Sequence, residues 1–199
     1  MMRTFQLLTA VGLLAATSAL GGCVSFGGAE PPPYLLSLTP DQKLSAGAMQ
    51  SGPQTGSLVV ALPAAPQKLN TIRVPVQTSG MGIAYLKDAV WVDKPARLFQ
   101  DLLSETIAAR NGRLVLTAAQ AGGRAETYIT GELVNCDLDG PSLTVTVTYD
   151  AVKMIKDRPV SKKRFEASES VFAAEPGPVG EGLSSAANKV AADVAEWVG

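Results

Sequence analysis

The chain has 199 residues, with 17 Lys and Arg against 18 Asp and Glu, no His and two Cys. Near-neutral charge with no long basic cluster excludes a nucleic-acid binder, which would draw its affinity from Lys and Arg neutralising phosphates. Without His the chain has no Ser-His-Asp or Cys-His catalysis of its own, and two Cys without His make neither a zinc site nor a disulfide scaffold, so no metal, cofactor or catalytic residue is expected.

Residues 1–22 read as a targeting peptide, with Arg3 as the basic start and an uncharged apolar stretch from Phe5 to Leu20. That stretch is shorter than the ~20 residues a helix needs to cross a ~30 Å hydrocarbon core, which favours a cleaved signal over a permanent span. Leu20-Gly21-Gly22-Cys23 resembles the bacterial lipoprotein box. The resemblance implies that Cys23 becomes the acylated first residue of the mature protein, carrying a diacylglyceryl group on its thiol and palmitate-type chains. An ordinary cleaved signal with Cys23 as a bystander is the plainer alternative. Val24 stands where an Asp would, by the same resemblance, favour retention in the inner membrane, so an outer-membrane, periplasm-facing anchor is expected. Cys136 is then the only unmodified thiol.

Residues 23–56 are expected to be the lipidated Cys and a flexible tether, given Gly27-Gly28, Pro31-Pro32-Pro33, Pro40, Gly47, Gly52-Pro53 and Gly56. Tyr34 to Leu38 is the exception, with enough aromatic and aliphatic content for a short edge strand. Residues 57–199 have the size of one domain. Ser57 to Leu62, Thr71 to Thr78 and Ile83 to Val92 read as strands, punctuated by Pro63, Pro66 and Ser79-Gly80-Met81-Gly82. Asp93-Lys94-Pro95 has the grammar of a helix start, with Asp93 as the cap. Leu98, Phe99, Leu102, Leu103, Thr106 and Ile107 then form an apolar stripe that ends at Asn111-Gly112. Arg113 to Thr117 follows as a short strand, completing a strand, helix, strand crossover.

Thr127 to Leu138, Leu143 to Tyr149 and Val160 to Phe172 read as an antiparallel meander, with turns at Asp139-Gly140-Pro141 and Arg158-Pro159. Strict alternation in the middle strand leaves Thr144, Thr146 and Thr148 in a row on one face. Val179 to Val198 is a helix with Leu183, Ala187, Val190, Ala191, Val194 and Trp197 on one side. The expected fold is an α/β single-domain sandwich. It has a mixed sheet, made of a βαβ unit plus the antiparallel meander, and two main helices, the second C-terminal.

Tyr34-Leu35-Leu36, Leu69-Asn70-Thr71-Ile72-Arg73-Val74 and Tyr85 to Leu103, where a strand ending in Trp91 runs into an amphipathic helix, resemble the ABC-type transport auxiliary lipoprotein (PqiC-like) family. Asn70-Thr71 departs from its pattern, in which an Asp-Arg pair follows the leucine. The resemblance implies an outer-membrane-anchored, periplasmic accessory subunit of an intermembrane lipid transporter. Such transporters are built around an MCE (mammalian cell entry) domain protein with a permease and an ATPase. The implied role is tethering and assembly, not catalysis, and the chain has no phosphate-binding Gly-Lys-Ser/Thr loop. A lipoprotein chaperone or plug for an outer-membrane β-barrel is the alternative.

Asp137 and Asp139 are the tempting acid/base pair, but a position two apart beside Gly140-Pro141 fits a solvated turn better. Trp91 reads as a core or interface residue, Cys136 as an inert thiol, and Lys162-Lys163-Arg164 as a solvated strand face or a contact for anionic headgroups. The Thr row and the alanine-rich last helix are the surfaces open to self-association, and a lipid groove between helix and sheet is the other reading.

Overall fold

The computed structural model describes residues 34–199. The expected signal peptide, Cys23 and the start of the tether lie outside the described residues. In chain order the elements are β1 (Tyr34–Leu36), β2 (Leu58–Val60), β3 (Pro75–Ser79), β4 (Gly82–Tyr85), β5 (Ala89–Trp91), α1 (Pro95–Asn111), β6 (Val115–Leu116), α2 (Ala118–Ala121), β7 (Thr127–Asp139), β8 (Thr144–Ile155), β9 (Ser161–Ser170) and α3 (Pro176–Val198). This is the expected mixed α/β architecture, with two long helices, the second C-terminal; the short α2 and two 3-10 turns, at Gln54–Gly56 and Gln67–Leu69, are added.

The sheet is organised by β7. One of its edges pairs along its whole length with β8, which in turn pairs with β9, all antiparallel. The other edge is shared: β2 lies parallel to its start, and β3 lies parallel to its end. β6 extends β2 in parallel and β4 extends β3 in antiparallel. Gly131, with φ 150°, sits on β7 where the strand passes close beneath Asp150 of β8. The register then shifts between Leu133 and Asn135, a bulge that bends the strand.

The crossover differs from the expected one. Ile83 to Val92 is not one strand, because Asp88 adopts φ 57° and breaks it into β4 and β5. β5 then leaves the main sheet and pairs in parallel with β1 in a two-stranded sheet of its own. The parallel partner of β6 across α1 is therefore β2. The helix start differs too: Lys94 occupies the N-cap with no side-chain cap, while Asp93 Oδ1 accepts the Lys94 N–H at 2.6 Å. Gly112, at φ 62°, ends the helix as the sequence indicates.

α1 and α3 pack on each other, and α3 covers β8 and β9. Val145, Val147, Tyr149 and Ala151 point toward the helices and are buried. The Phe99 and Tyr149 rings meet at 5.0 Å, and the Tyr149 hydroxyl donates to the Thr130 carbonyl at 3.0 Å. The alanine face of α3 is thus consumed inside the domain: Ala186, Ala187, Ala191 and Ala195 are buried there. Small side chains let α3 lie close to both the sheet and α1.

Residues 37–56 do not behave as the free tether expected of them. Leu36 and Leu38 are buried in the main core, and the chain then runs along the two helices. Asn188 of α3 accepts the Asp41 N–H at 2.9 Å and donates to the Thr39 carbonyl at 2.8 Å. Glu105 accepts the Leu44 N–H at 2.6 Å, and Gln50 donates to the Ala108 carbonyl at 3.1 Å. Side chains of Asn188 and Glu105 on the helices, and the Gln50 side chain reaching the α1 backbone, replace the strand pairing that a Pro- and Gly-rich segment cannot provide.

Candidate functional site

The alternation that buries one face of β8 turns Thr144, Thr146, Thr148 and Asp150 to the other face, away from α1 and α3. The register sets Asp139, Asp137 and Asn135 of β7 on one side of the Thr row and Ser170, Ser168 and Glu166 of β9 on the other. Three long strands thereby present a polar face whose side chains are already joined to one another. Lys68, from the turn at Gln67–Leu69, donates to Asn135 at 2.8 Å and to Asp137 at 2.5 Å. Asn135 donates to Thr148 at 3.4 Å, and Thr148 donates to Glu166 at 2.7 Å. Thr146 and Ser168 share a hydrogen bond of 2.8 Å.

Farther along the same face, Arg164 grips Asp150 through two hydrogen bonds of 2.6 and 2.9 Å, with Lys162 at 3.3 Å. The Arg164 hydrogen bond holds the Asp150 carboxyl below the usual aspartate range, against the opposing effect of burial and with help from Lys162. Pre-formed pairs of both signs make a face suited to hydrogen-bonded contact with another protein surface, since its side chains need little reorganisation on docking.

The sequence-level candidates resolve as follows. Asp137 and Asp139 are each engaged by a neighbour: Asp137 by Lys68, and Asp139 by the backbone N–H and hydroxyl of Ser142. They do not form a carboxylate pair. Lys162 and Arg164 are drawn to Asp150, and Lys163 lies over the Phe165 ring at 4.7 Å, so the three bases do not act as one patch. Cys136 is buried and free, and its thiol is pushed up to about 12, first by burial and then by the Asp137 charge, with Lys68 pulling the other way. Trp91 belongs to the core, and its Nε1 meets no acceptor. At the departure from the family pattern, Asn70 accepts from Lys94 Nζ at 2.8 Å, and Arg73 lies 4.0 Å over the Tyr85 ring.

The space between the helices and the sheet is filled by side chains of the main core, Phe99, Tyr149 and Leu183 among them. A cleft of about 620 Å³ lies instead on the outer flank of α1, lined by Leu44, Val60, Leu62, Leu116, Gln100 and Glu105 among others, so that apolar and polar side chains share its walls. Among the described residues, no group of three or more Cys, Asp or Glu stands ready for a metal ion, and no helix is long and apolar enough to cross a membrane. Asn135, Asp150, Glu166 and Lys68 were not legible as site residues. Their only signal is the period-two pattern of β7 to β9, and Lys68 comes from a turn whose position no pattern fixes.

Comparison with known proteins agrees with this architecture. The family described as ABC-type transport auxiliary lipoprotein component matches residues 34–195. Protein XCC0632 from Xanthomonas campestris has the same fold, with a TM-score of 0.69 at 16% identity over 82% of this chain and 93% of that one. An uncharacterized protein of known crystal structure gives a TM-score of 0.67 at 12% identity, over 83% of this chain and 98% of that one. No curated protein matches the sequence.

Proposed function

Since the chain belongs to the ABC-type transport auxiliary lipoprotein family, we propose that it serves an MCE-type intermembrane lipid transport system as an accessory subunit. It is anchored through acylated Cys23 to the periplasmic face of the outer membrane. In this reading residues 1–22 are removed, residues 24–33 form the leash, and residues 34–199 form the domain that meets the MCE protein. The role is tethering and assembly, without a catalytic step of its own.

The observation that carries the reading is the polar face of β7, β8 and β9, turned away from the helices, half-exposed around the buried Thr148 and Asp150 and with its ion pairs already made, on a domain that begins eleven residues after Cys23. Eleven residues span at most about 40 Å, which keeps that face within one domain's reach of the bilayer. The test is affinity purification of the protein from its native envelope with mass spectrometry of co-purifying proteins, using Cys23→Ala as control. Recovery of an MCE protein with its permease and ATPase, lost or reduced with Cys23→Ala, is the expected result. Recovery of a large β-barrel protein alone overturns the transporter assignment.

A further inference from the structure

The two ends of the sheet differ sharply in chemistry. At one end lie the β3–β4 turn (79–82), the β7–β8 turn (140–143) and the stretch after β9 (171–174). The register brings them together: Val76 and Gln77 pair with Leu138 and Asp139, Gly140 donates to the Gln77 carbonyl, and Val171 donates to the Leu143 carbonyl. Their residues are Ser-Gly-Met-Gly, Gly-Pro-Ser-Leu and Val-Phe-Ala-Ala, without one ionisable side chain; the flanking carboxylates are Asp139, which accepts from Ser142 in the turn, and the exposed Glu175 at the start of α3. Met81 is 97% exposed and Phe172 82% exposed. At the opposite end, the β8–β9 turn carries Lys156, Asp157 and Arg158, and the approach to β7 carries Arg124 and Glu126.

The first described residues enter at the uncharged end. Leu36 packs where a side chain on Gly180 would sit, near the start of α3, and Gly182 lies against Val145 and Val171. From there the chain runs with α3 toward Asn188, so Tyr34 is on the same side of the molecule as Phe172 and the β7–β8 turn. Tyr34 and Leu35 are themselves 53% and 66% exposed. Apolar side chains standing clear of the surface on charge-free loops mark a contact with something apolar, because such loops lose little solvation when water leaves them.

We propose that this end of the domain docks on a lipid surface, with Met81 and Phe172 entering the headgroup region beside the chain's own anchor. The proposal rests on Cys23 carrying acyl chains. A compact domain of this size is about 40 Å across. The charged end could therefore meet the bilayer only with the eleven-residue connection drawn out along the whole domain, whereas the uncharged end needs no such extension. The second, weaker contact complements the acyl anchor in the way that two-signal membrane attachment works. Docked this way, the domain presents the sides of its sheet to neighbours in the periplasm and sends its charged end away from the membrane.

The test uses the full chain, recovered from bacterial membranes and reconstituted in vesicles of phosphatidylethanolamine and phosphatidylglycerol. Met81→Cys, Phe172→Cys and, at the charged end, Val160→Cys are each labelled with an environment-sensitive fluorophore. Cys136 is buried and stays unlabelled, and palmitate incorporation is measured on the same preparations with Cys23→Ala as control. The expected result is a blue-shifted emission quenched by nitroxide lipids at 81 and 172, and no quenching at 160. Adding Phe172→Asp to the Met81→Cys protein is expected to abolish the quenching at 81. Acylated, vesicle-bound protein whose probes at 81 and 172 match the probe at 160 overturns the docking and leaves the anchor standing. Failure to incorporate palmitate refutes the anchor, and the docking falls with it.

Discussion

Replacing Gly131 by Ala probes the point on which β7 turns. A Cβ built there would lie 1.9 Å from the Asp150 carbonyl oxygen, 2.9 Å from its carbon and 3.1 Å from Tyr149 Cε2, where real Cβ atoms essentially never come within 3.0 Å. Two of the three obstacles are backbone of the neighbouring strand, so no rotamer change relieves them. The φ of 150° adds strain for any residue with a side chain. Overpacking and backbone strain of about 1–3 kcal/mol each give a combined cost of about 2–6 kcal/mol. For a domain of this size that corresponds to a melting temperature lower by roughly 4–24 °C. The assay is thermal unfolding followed by far-UV circular dichroism, with Gly52→Ala as control. Gly52 has nothing within 4 Å of the added carbon, so the control is expected to change stability by no more than about 0.5 kcal/mol. A Gly131→Ala protein melting within about 2 °C of the parent would refute the close approach of β7 and β8.

Three further outcomes are expected. Because Arg164 holds the Asp150 carboxyl low, the pair's contribution is complete above the ordinary aspartate pKa near ~4 and is lost as pH falls through the lower folded value; in urea unfolding, Asp150→Asn should destabilise at pH 7 and lose that difference in strong acid, and a difference that persists unchanged at low pH would contradict this. Cys136, with its thiol raised to about 12, should resist a thiol reagent at pH 8 in the folded protein and react fully in denaturant, whereas fast native labelling would mean that the strand interior is open. Asn188→Ala removes the two hydrogen bonds that hold Thr39 and Asp41, a loss of about 1–2 kcal/mol, and should raise the rate of tryptic cleavage after Lys43 by roughly tenfold; an unchanged rate would show that the Asn188 bonds do not hold the segment.

The parts of the fold that sequence made plain are those in which one periodicity runs long enough to be unambiguous. The Leu98 to Ile107 stripe, the alternation through Val145, Val147 and Tyr149, and the apolar side of the last helix all fold as their spacing indicates. The misreadings share a different cause, since each depended on tertiary partners. Ile83 to Val92 is apolar on both sides of Lys87-Asp88, and that charged pair is the only local sign that Asp88 turns the chain; nothing local announces that β5 pairs with a strand more than fifty residues earlier. Residues 37–56 have the composition of a linker and are held by Asn188, Glu105 and the Ala108 carbonyl, which lie far along the chain. The polar face shows the same limit: Thr144, Thr146 and Thr148 stand out by alternation, but their joining to Lys68 and Glu166 depends on strand register.

The attachment of β1 also decides how the domain bears load. A pull applied at Tyr34 is taken first by a three-residue parallel pairing and by Leu36 wedged at Gly180, then by the hydrogen bonds to Asn188 and Glu105. None of these belongs to the seven-stranded sheet. Residues 34–56 could peel away in sequence while β7, β8 and β9 keep their pairing, paying out up to about 80 Å of additional chain. With the anchor proposed at Cys23, residues 34–56 would be a reserve of length, released by tension, between that anchor and the seven-stranded sheet.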